Sequence, residues 1–92
     1  MNFSEVVFPD QYPRIDLHGY DRESARVAVN EFIEDSRKLK QEIIVIVHGI
    51  GSGILRKTTH ETLQKNKQVI EFKTYYYNQG CTIVKINVEK EN

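Results

Sequence analysis

Residues 43–56 constrain this chain more than any other stretch. The apolar run Ile43-Ile44-Val45-Ile46-Val47 stops at His48, and three glycines follow in five residues, Gly49, Gly51 and Gly53. The run has the length of a strand and is apolar on both faces, as expected of a central strand covered on both sides. Helical spacing resumes at Ile54 and Leu55. Strand, glycine loop and helix N-terminus, in that order, bring backbone N–H groups close to an anion. His48 stands at the mouth of that loop. The rest of the chain reads as a platform for this unit.

Upstream, Arg14-Ile15-Asp16-Leu17-His18-Gly19 reads as a short strand ending at a glycine. Alternation sets Ile15 and Leu17 on one face and Asp16 and His18 on the other. Asp21 is placed as a helix N-cap. From 22 to about 40, Ala25, Ala28, Val29, Phe32, Ile33 and Leu39 recur at three-and-four spacing, one face of an amphipathic helix. Arg26, Glu34, Arg37 and Lys38 lie opposite, a solvated face with some i,i+4 pairing. After the glycine loop a more polar helix runs to about residue 66, with Ile54, Leu55, Thr59 and Leu63 as candidate core contacts. Residues 69–77 are rich in β-formers, Asn78-Gln79-Gly80 is a turn signal, and 81–88 is the last strand, so the chain should close on a hairpin.

Residues 1–13, interrupted by Pro9 and Pro13, read either as an arm with a short edge strand at 6–8 or as a partly disordered tail. The domain proper is then 14–92, its last four residues fraying. A right-handed crossover through the first helix makes the first two strands parallel. The expected fold class is α/β, an α+β sandwich. It has a four-stranded mixed sheet and two helices on one face, in the order βαβαββ.

Ninety-two residues make one domain with one modest core. No apolar run approaches the roughly 20 residues of a membrane span. The N-terminus lacks the basic start and long apolar core of a signal peptide, so a cytoplasmic location is expected. Cys81, the one cysteine, permits no intrachain disulfide and reads as a core or near-core thiol. Thirteen basic and thirteen acidic residues cancel, which argues against tight, non-specific nucleic-acid binding through bulk charge. The distribution is uneven, however. Between 48 and 68, Arg56, Lys57, Lys65 and Lys67 stand against Glu61 alone, whereas in the first twenty residues Arg14 stands against Glu5, Asp10 and Asp16. The glycine loop and the helix after it therefore form the basic part of the surface, where a polyanion would be drawn.

Parallel pairing of the first two strands would bring His18 and His48 to the same, C-terminal, edge of the sheet, where open α/β sheets bind ligands. The second helix starts there too, with its dipole facing the same place. Asp16, beside His18, could orient its ring or raise its pKa. Arg56 and Lys57 could reach a phosphate. Two histidines flanking a phosphodiester can divide general-base and general-acid duties, while loop amides stabilise the charge building on phosphorus. On RNA the base would take the 2′-hydroxyl proton and no metal is needed. On DNA, which lacks that hydroxyl, a metal-bound or activated water is required, with magnesium or manganese as the metal. Each piece also has a structural reading. Histidines at strand ends are commonly structural, and Gly-x-Gly-x-Gly also makes tight strand-to-helix turns. No Lys-Ser/Thr pair follows the last glycine, so the loop is not a Walker P-loop. His60 reads as a surface residue, Tyr75-Tyr76-Tyr77 as sheet packing or base stacking. Two distant histidines and one cysteine make no structural zinc site.

Together, Ile15-Asp16-Leu17-His18-Gly19, the stretch Val47-His48-Gly49-Ile50-Gly51-Ser52-Gly53-Ile54-Leu55-Arg56 and the strand Gly80-Cys81-Thr82-Ile83-Val84 resemble a stand-alone Smr (small MutS-related) domain over about residues 14–88. The resemblance implies a fold similar to the C-terminal domain of bacterial translation initiation factor 3. It implies DNA or RNA as partner, with the ribosome as a further one. Family members include nicking endonucleases on DNA and ribonucleases acting at stalled or collided ribosomes, and others that have lost cleavage. The family's Asp-Leu-His-Gly and His-Gly-x-Gly motifs fall on Asp16, His18, Gly19, His48, Gly49 and Gly51. The expectation is an endonuclease with Asp16, His18 and His48 as reactive centre. Gly19, Gly49, Gly51, Ser52, Gly53, Arg56 and Lys57 would hold the nucleic acid and its phosphates. The alternatives are a non-catalytic module for nucleic acid or the ribosome, and a protein-interaction or dimerisation domain. Oligomeric state is left open.

Overall fold

The structure, a computed structural model, describes residues 11–51, 53–75 and 80–88. The elements run β1 (Arg14–Asp16), α1 (Arg22–Lys38), β2 (Ile43–Val47), α2 (Ile54–Lys65), β3 (Val69–Thr74) and β4 (Cys81–Ile86). They form one four-stranded sheet in the order β1-β2-β4-β3. β1 pairs parallel to β2, while β4 runs antiparallel to both β2 and β3. The mixed sheet with two helices is thus the architecture the sequence order implied. The apolar β2 is interior, and four of its five residues are buried.

Register explains the two faces. Ile15, Ile46, Thr82 and Thr74 lie in one row across the sheet, and Ile44, Val84 and Phe72 in the next. These alternate positions face the helices. Leu17, Ile44, Ile46, Val84 and Ile86 form one buried cluster with Ala25, Val29 and Ile33 of α1 and Leu63 of α2, so both helices cover one face. The other face holds a second, smaller cluster, Ile43 and Ile83, packed by Tyr12 and Tyr75. Each buried aliphatic side chain stabilises the fold by about 1.5–3 kcal/mol relative to exposure, which is why the alternation is obeyed so strictly.

Several boundaries move. β1 stops at Asp16, where a turn at 18–19 opens with Gly19 at φ +81. Asp21 caps α1 as expected. Its carboxylate accepts the Ser24 amide at 2.7 Å, which holds its pKa below the usual carboxylate value. α1 ends at Lys38, so Leu39 is the C-cap, 69% exposed rather than in the core. The ion pairs on α1 are i,i+3, Arg26 with Glu23 and Arg37 with Glu34, not i,i+4. Arg37 also donates from Nε to the Asn87 carbonyl at 3.0 Å, tying α1 to the chain leaving β4. β3 ends at Thr74, so Tyr75 lies just past it, and β4 ends at Ile86. Residues 1–10 of the arm, with the edge strand expected at 6–8, and Tyr76, Tyr77, Asn78 and Gln79 lie outside the described residues. Among the described residues no helix is long and apolar enough to cross a membrane.

Candidate functional site

The glycine loop joins β2 to α2 at the edge where β1 also ends. Gly49 and Gly53 have φ of +81 and +83, the left-handed region where a Cβ is strained, whereas Gly51 does not. Two of the three glycines are therefore demanded by backbone geometry. Gly53 is the N-cap of α2 and supplies no side-chain cap. The amides of Leu55 and Arg56, which precede the first intrahelical bond, have no acceptor among the described residues. The loop and this helix start enclose a pocket of about 160 Å³ lined by His48, Gly49, Ile50, Gly51, Gly53, Ile54, Leu55 and Arg56.

The amides are not all available to a ligand. The Gly80 carbonyl accepts from both His48 N–H (2.9 Å) and Gly49 N–H (3.0 Å). The entrance of the loop is thus pinned to the start of β4. An anion has the later amides and the Arg56 guanidinium to bind, not the amide of Gly49.

His48 is buried, 6% exposed, with both ring nitrogens engaged. Nδ1 lies 3.0 Å from the carbonyl oxygen of Gly49, and Nε2 lies 2.8 Å from Thr82 Oγ1. His60 Nε2 lies 2.9 Å from the same hydroxyl. The two imidazoles meet edge-to-face at 6.0 Å, and His60 also packs on Phe72 at 5.2 Å. Both histidines have pKa values below the ordinary 6.5, chiefly through burial. The charge of Arg56 adds to the effect on each, and His48 adds to it on His60. At neutral pH both rings are therefore uncharged.

His60 is thus not the surface residue that its mid-helix position predicts. Sequence reasoning missed both it and Thr82. A faint signal existed: His60 lies three residues before the core position Leu63 on the same helical face, and Thr82 is a polar residue in a strand whose neighbouring positions Cys81, Ile83 and Val84 are apolar.

Asp16 ends the neighbouring strand, and His18 lies in the turn that follows it. Asp16 pairs with Val47, and the Leu17 amide donates to the Val47 carbonyl at 2.8 Å, so His18 follows at the same edge as His48. The Asp16 carboxylate accepts the backbone N–H of His18 at 2.8 Å. It shapes the turn rather than holding the imidazole. His18 is exposed, and its ring has no hydrogen-bond partner among the described residues. Asp16, His18 and Gly19 do not line the loop pocket. Nor does Lys57, which lines a cleft with Arg22, Thr58 and Glu61. Ile54, expected in the core, is 52% exposed on the pocket rim. Ser52 lies outside the described residues. Among the described residues no three His, Cys, Asp or Glu side chains converge as a metal site.

The family model described as Smr domain matches residues 15–87. Among curated proteins, the chain is 39% identical over 74 residues to a protein named endonuclease MutS2 from Streptococcus suis, covering 77% of this chain and 10% of that one. It is 32% identical over 78 residues to a protein of the same name from Clostridium perfringens, covering 85% and 10%. The chain thus spans about a tenth of the length of these relatives. Its fold superimposes on the crystal structure of the Smr domain of Thermus thermophilus MutS2 with a TM-score of 0.79 and 28% identity, covering 82% of this chain and 98% of that one. It also matches the fold of YdaL, a stand-alone small MutS-related protein from Escherichia coli, with a TM-score of 0.73 and 20% identity, over 83% of this chain and 67% of that one.

Proposed function

The chain belongs to the Smr domain family, and from that premise we propose that it is an endonuclease that cleaves the phosphodiester backbone of RNA or DNA at the shared end of β1 and β2. The observation that carries the proposal is the juxtaposition at that edge. An exposed histidine, His18, stands one strand away from a pocket lined by the glycine loop and Arg56. Arg56 and the Leu55 and Arg56 amides hold the non-bridging phosphate oxygens and stabilise charge on phosphorus. His18 is the general base. On RNA it takes the proton of the 2′-hydroxyl, the 2′-oxygen attacks phosphorus, and the 5′-oxygen leaves and is protonated from water, giving a 2′,3′-cyclic phosphate. On DNA it takes a proton from the attacking water, whose oxygen bonds to phosphorus as the P–O bond to the departing sugar oxygen breaks, and that oxygen is protonated from solvent. Asp16 holds the backbone of His18 in place. His48, with both ring nitrogens occupied, anchors the loop and keeps its place in the reactive centre by shaping the phosphate site. No step here is routed through a metal.

A second proposal, a non-catalytic module binding nucleic acid or the ribosome, is favoured by that same engagement of His48. The two separate in one assay. End-labelled RNA and DNA, single-stranded and duplex, are incubated with wild type, His18→Ala and Arg56→Ala, in EDTA or with magnesium or manganese. Cleavage of RNA in EDTA to a cyclic phosphate, lost in His18→Ala, supports the nuclease. Metal-dependent nicking of DNA, lost in the same variant, keeps the site and assigns it a DNA substrate. Intact substrate throughout, with salt-dependent binding weakened in Arg56→Ala, selects the binding module.

A further inference from the structure

The hydroxyl of Thr82 receives two imidazole nitrogens, His48 Nε2 at 2.8 Å and His60 Nε2 at 2.9 Å, and Thr82 itself is fully buried. A hydroxyl has one proton and two lone pairs, so the two contacts cannot both be O–H donations. The far end of the chain fixes the order. Gly49 offers His48 Nδ1 a carbonyl oxygen, which only accepts, so Nδ1 carries the proton. Neutral His48 then has a bare Nε2, and the Thr82 O–H donates to it. A lone pair of Thr82 Oγ1 must then accept from His60, whose Nε2 therefore carries its proton. A single arrangement of protons satisfies every contact: His60 Nε2–H to Thr82, Thr82 O–H to His48 Nε2, His48 Nδ1–H to the Gly49 carbonyl.

We infer that His60 is a positioning residue which, acting through the Thr82 hydroxyl, keeps His48 Nε2 partnered whether or not it is protonated and so leaves the Nδ1–H of His48 on the carbonyl of Gly49 at the entrance of the glycine loop. The physical reason lies in the Thr82 rotor. With the His60 N–H in place, the hydroxyl proton has one partnered direction, towards His48. Protonating His48 at Nε2 makes that nitrogen a donor to Thr82, and the Thr82 O–H then turns to His60, whose Nε2 accepts it once the His60 proton moves to Nδ1. Without a ring at position 60 the turned O–H is buried with no acceptor, which is costly. The consequence matters when a phosphate enters. An arriving anion ordinarily raises the pKa of a nearby histidine. The added proton goes to Nε2, so the grip of Nδ1–H on the Gly49 carbonyl persists as the site fills.

Among the described residues, the charged and titratable groups around the hydrogen-bond chain are few. On α2 they are Arg56 and His60, whose pKa is itself lowered by burial, by His48 and by Arg56. At the end of β1 they are Asp16 and His18. On β3 and β4, Thr74, Thr82 and Phe72 face His48 and His60, whereas Glu71, Lys73, Cys81 and Lys85 alternate onto the opposite face.

The inference rests on the loop being the phosphate site, and its test needs no substrate. Long-range ¹H–¹⁵N spectra of the whole chain distinguish protonated from bare ring nitrogens. At pH 7.5 wild type should show His48 protonated at Nδ1 and His60 protonated at Nε2. His60→Leu, which leaves the turned Thr82 O–H without an acceptor, should lower the His48 titration midpoint by about one pH unit. His60→Gln, whose side-chain amide can donate to or accept from the Thr82 hydroxyl, should leave it near the wild-type value. Finding His48 protonated at Nε2 in wild type overturns the inference, even if His60→Leu fails to fold. So does an equal shift in the Leu and Gln variants. If the tautomers are as stated but no nucleic acid is cleaved, the positioning role stands and the nuclease proposal fails.

Discussion

Thr82→Val removes one oxygen and keeps the shape of the side chain, which makes it the sharpest probe of the β4 hydroxyl. Thr82 is fully buried and His48 is 6% exposed, so the Nε2 of His48 would lose its partner away from water. Leaving a buried acceptor unsatisfied costs about 1–3 kcal/mol. His60 is only half-buried and can turn towards solvent, so its lost bond costs less, about 0.5–1 kcal/mol. The added methyl returns about 0.8 kcal/mol of apolar burial. The balance is a loss of about 1–3 kcal/mol, well below the roughly 5–15 kcal/mol of a typical domain, so the variant remains folded and measurable. Urea unfolding at pH 7.5, followed by circular dichroism, would read it directly. Thr82→Ser, which keeps the hydroxyl and deletes a buried methyl, should lose about 1 kcal/mol while keeping the His48 tautomer. The reasoning is refuted if Thr82→Val is as stable as wild type, or if its His48 ring nitrogens are indistinguishable from those of wild type.

The pKa directions of His48 and His60 also set a pH dependence. Both folded values lie below the unfolded 6.5, so as pH falls through 6.5 the unfolded chain binds protons that the folded one refuses. Stability should therefore decline from about pH 6.5 downward until the folded histidines protonate, by at most about 1.4 kcal/mol per pH unit for each histidine. Replacing His60 by Gln should make the decline shallower, and a flat profile between pH 7 and 5 would contradict the neutral assignment. The loop glycines should separate in the same unfolding assay. Gly49→Ala, at φ +81, should cost about 1–2 kcal/mol, whereas Gly51→Ala, with no positive φ and open space around its Cβ, should be close to neutral.

Much of the architecture was legible because it follows from local rules. β2 could be read as central from apolar residues on both faces, and α1 from the spacing of Ala25, Val29 and Ile33. The Asp21 cap was legible because capping involves only residues three apart in sequence. Ile54 and Leu39 were misjudged because an apolar residue at a helix end fits the same periodicity whether or not a neighbour covers it. The partner of Asp16 was misjudged for a related reason. Alternation placed its carboxylate beside His18, yet a backbone amide two residues away was the nearer donor.

By itself the sequence determined the element order, the parallel entry of β1 beside β2, and the motifs by which the chain joins its family. Periodicity, capping and glycine placement act over a few residues and leave their marks in the chain itself. Tertiary structure alone decided how His48 is used. His48 and Thr82 lie 34 positions apart along the chain, and His60 and Thr82 lie 22 apart. They meet because β4 inserts beside β2 and α2 folds back over the row that carries Thr82. Hydrogen-bond direction depends on which donors and acceptors the fold brings together, and a hydroxyl shared by two imidazoles exists only once the sheet and helix have packed.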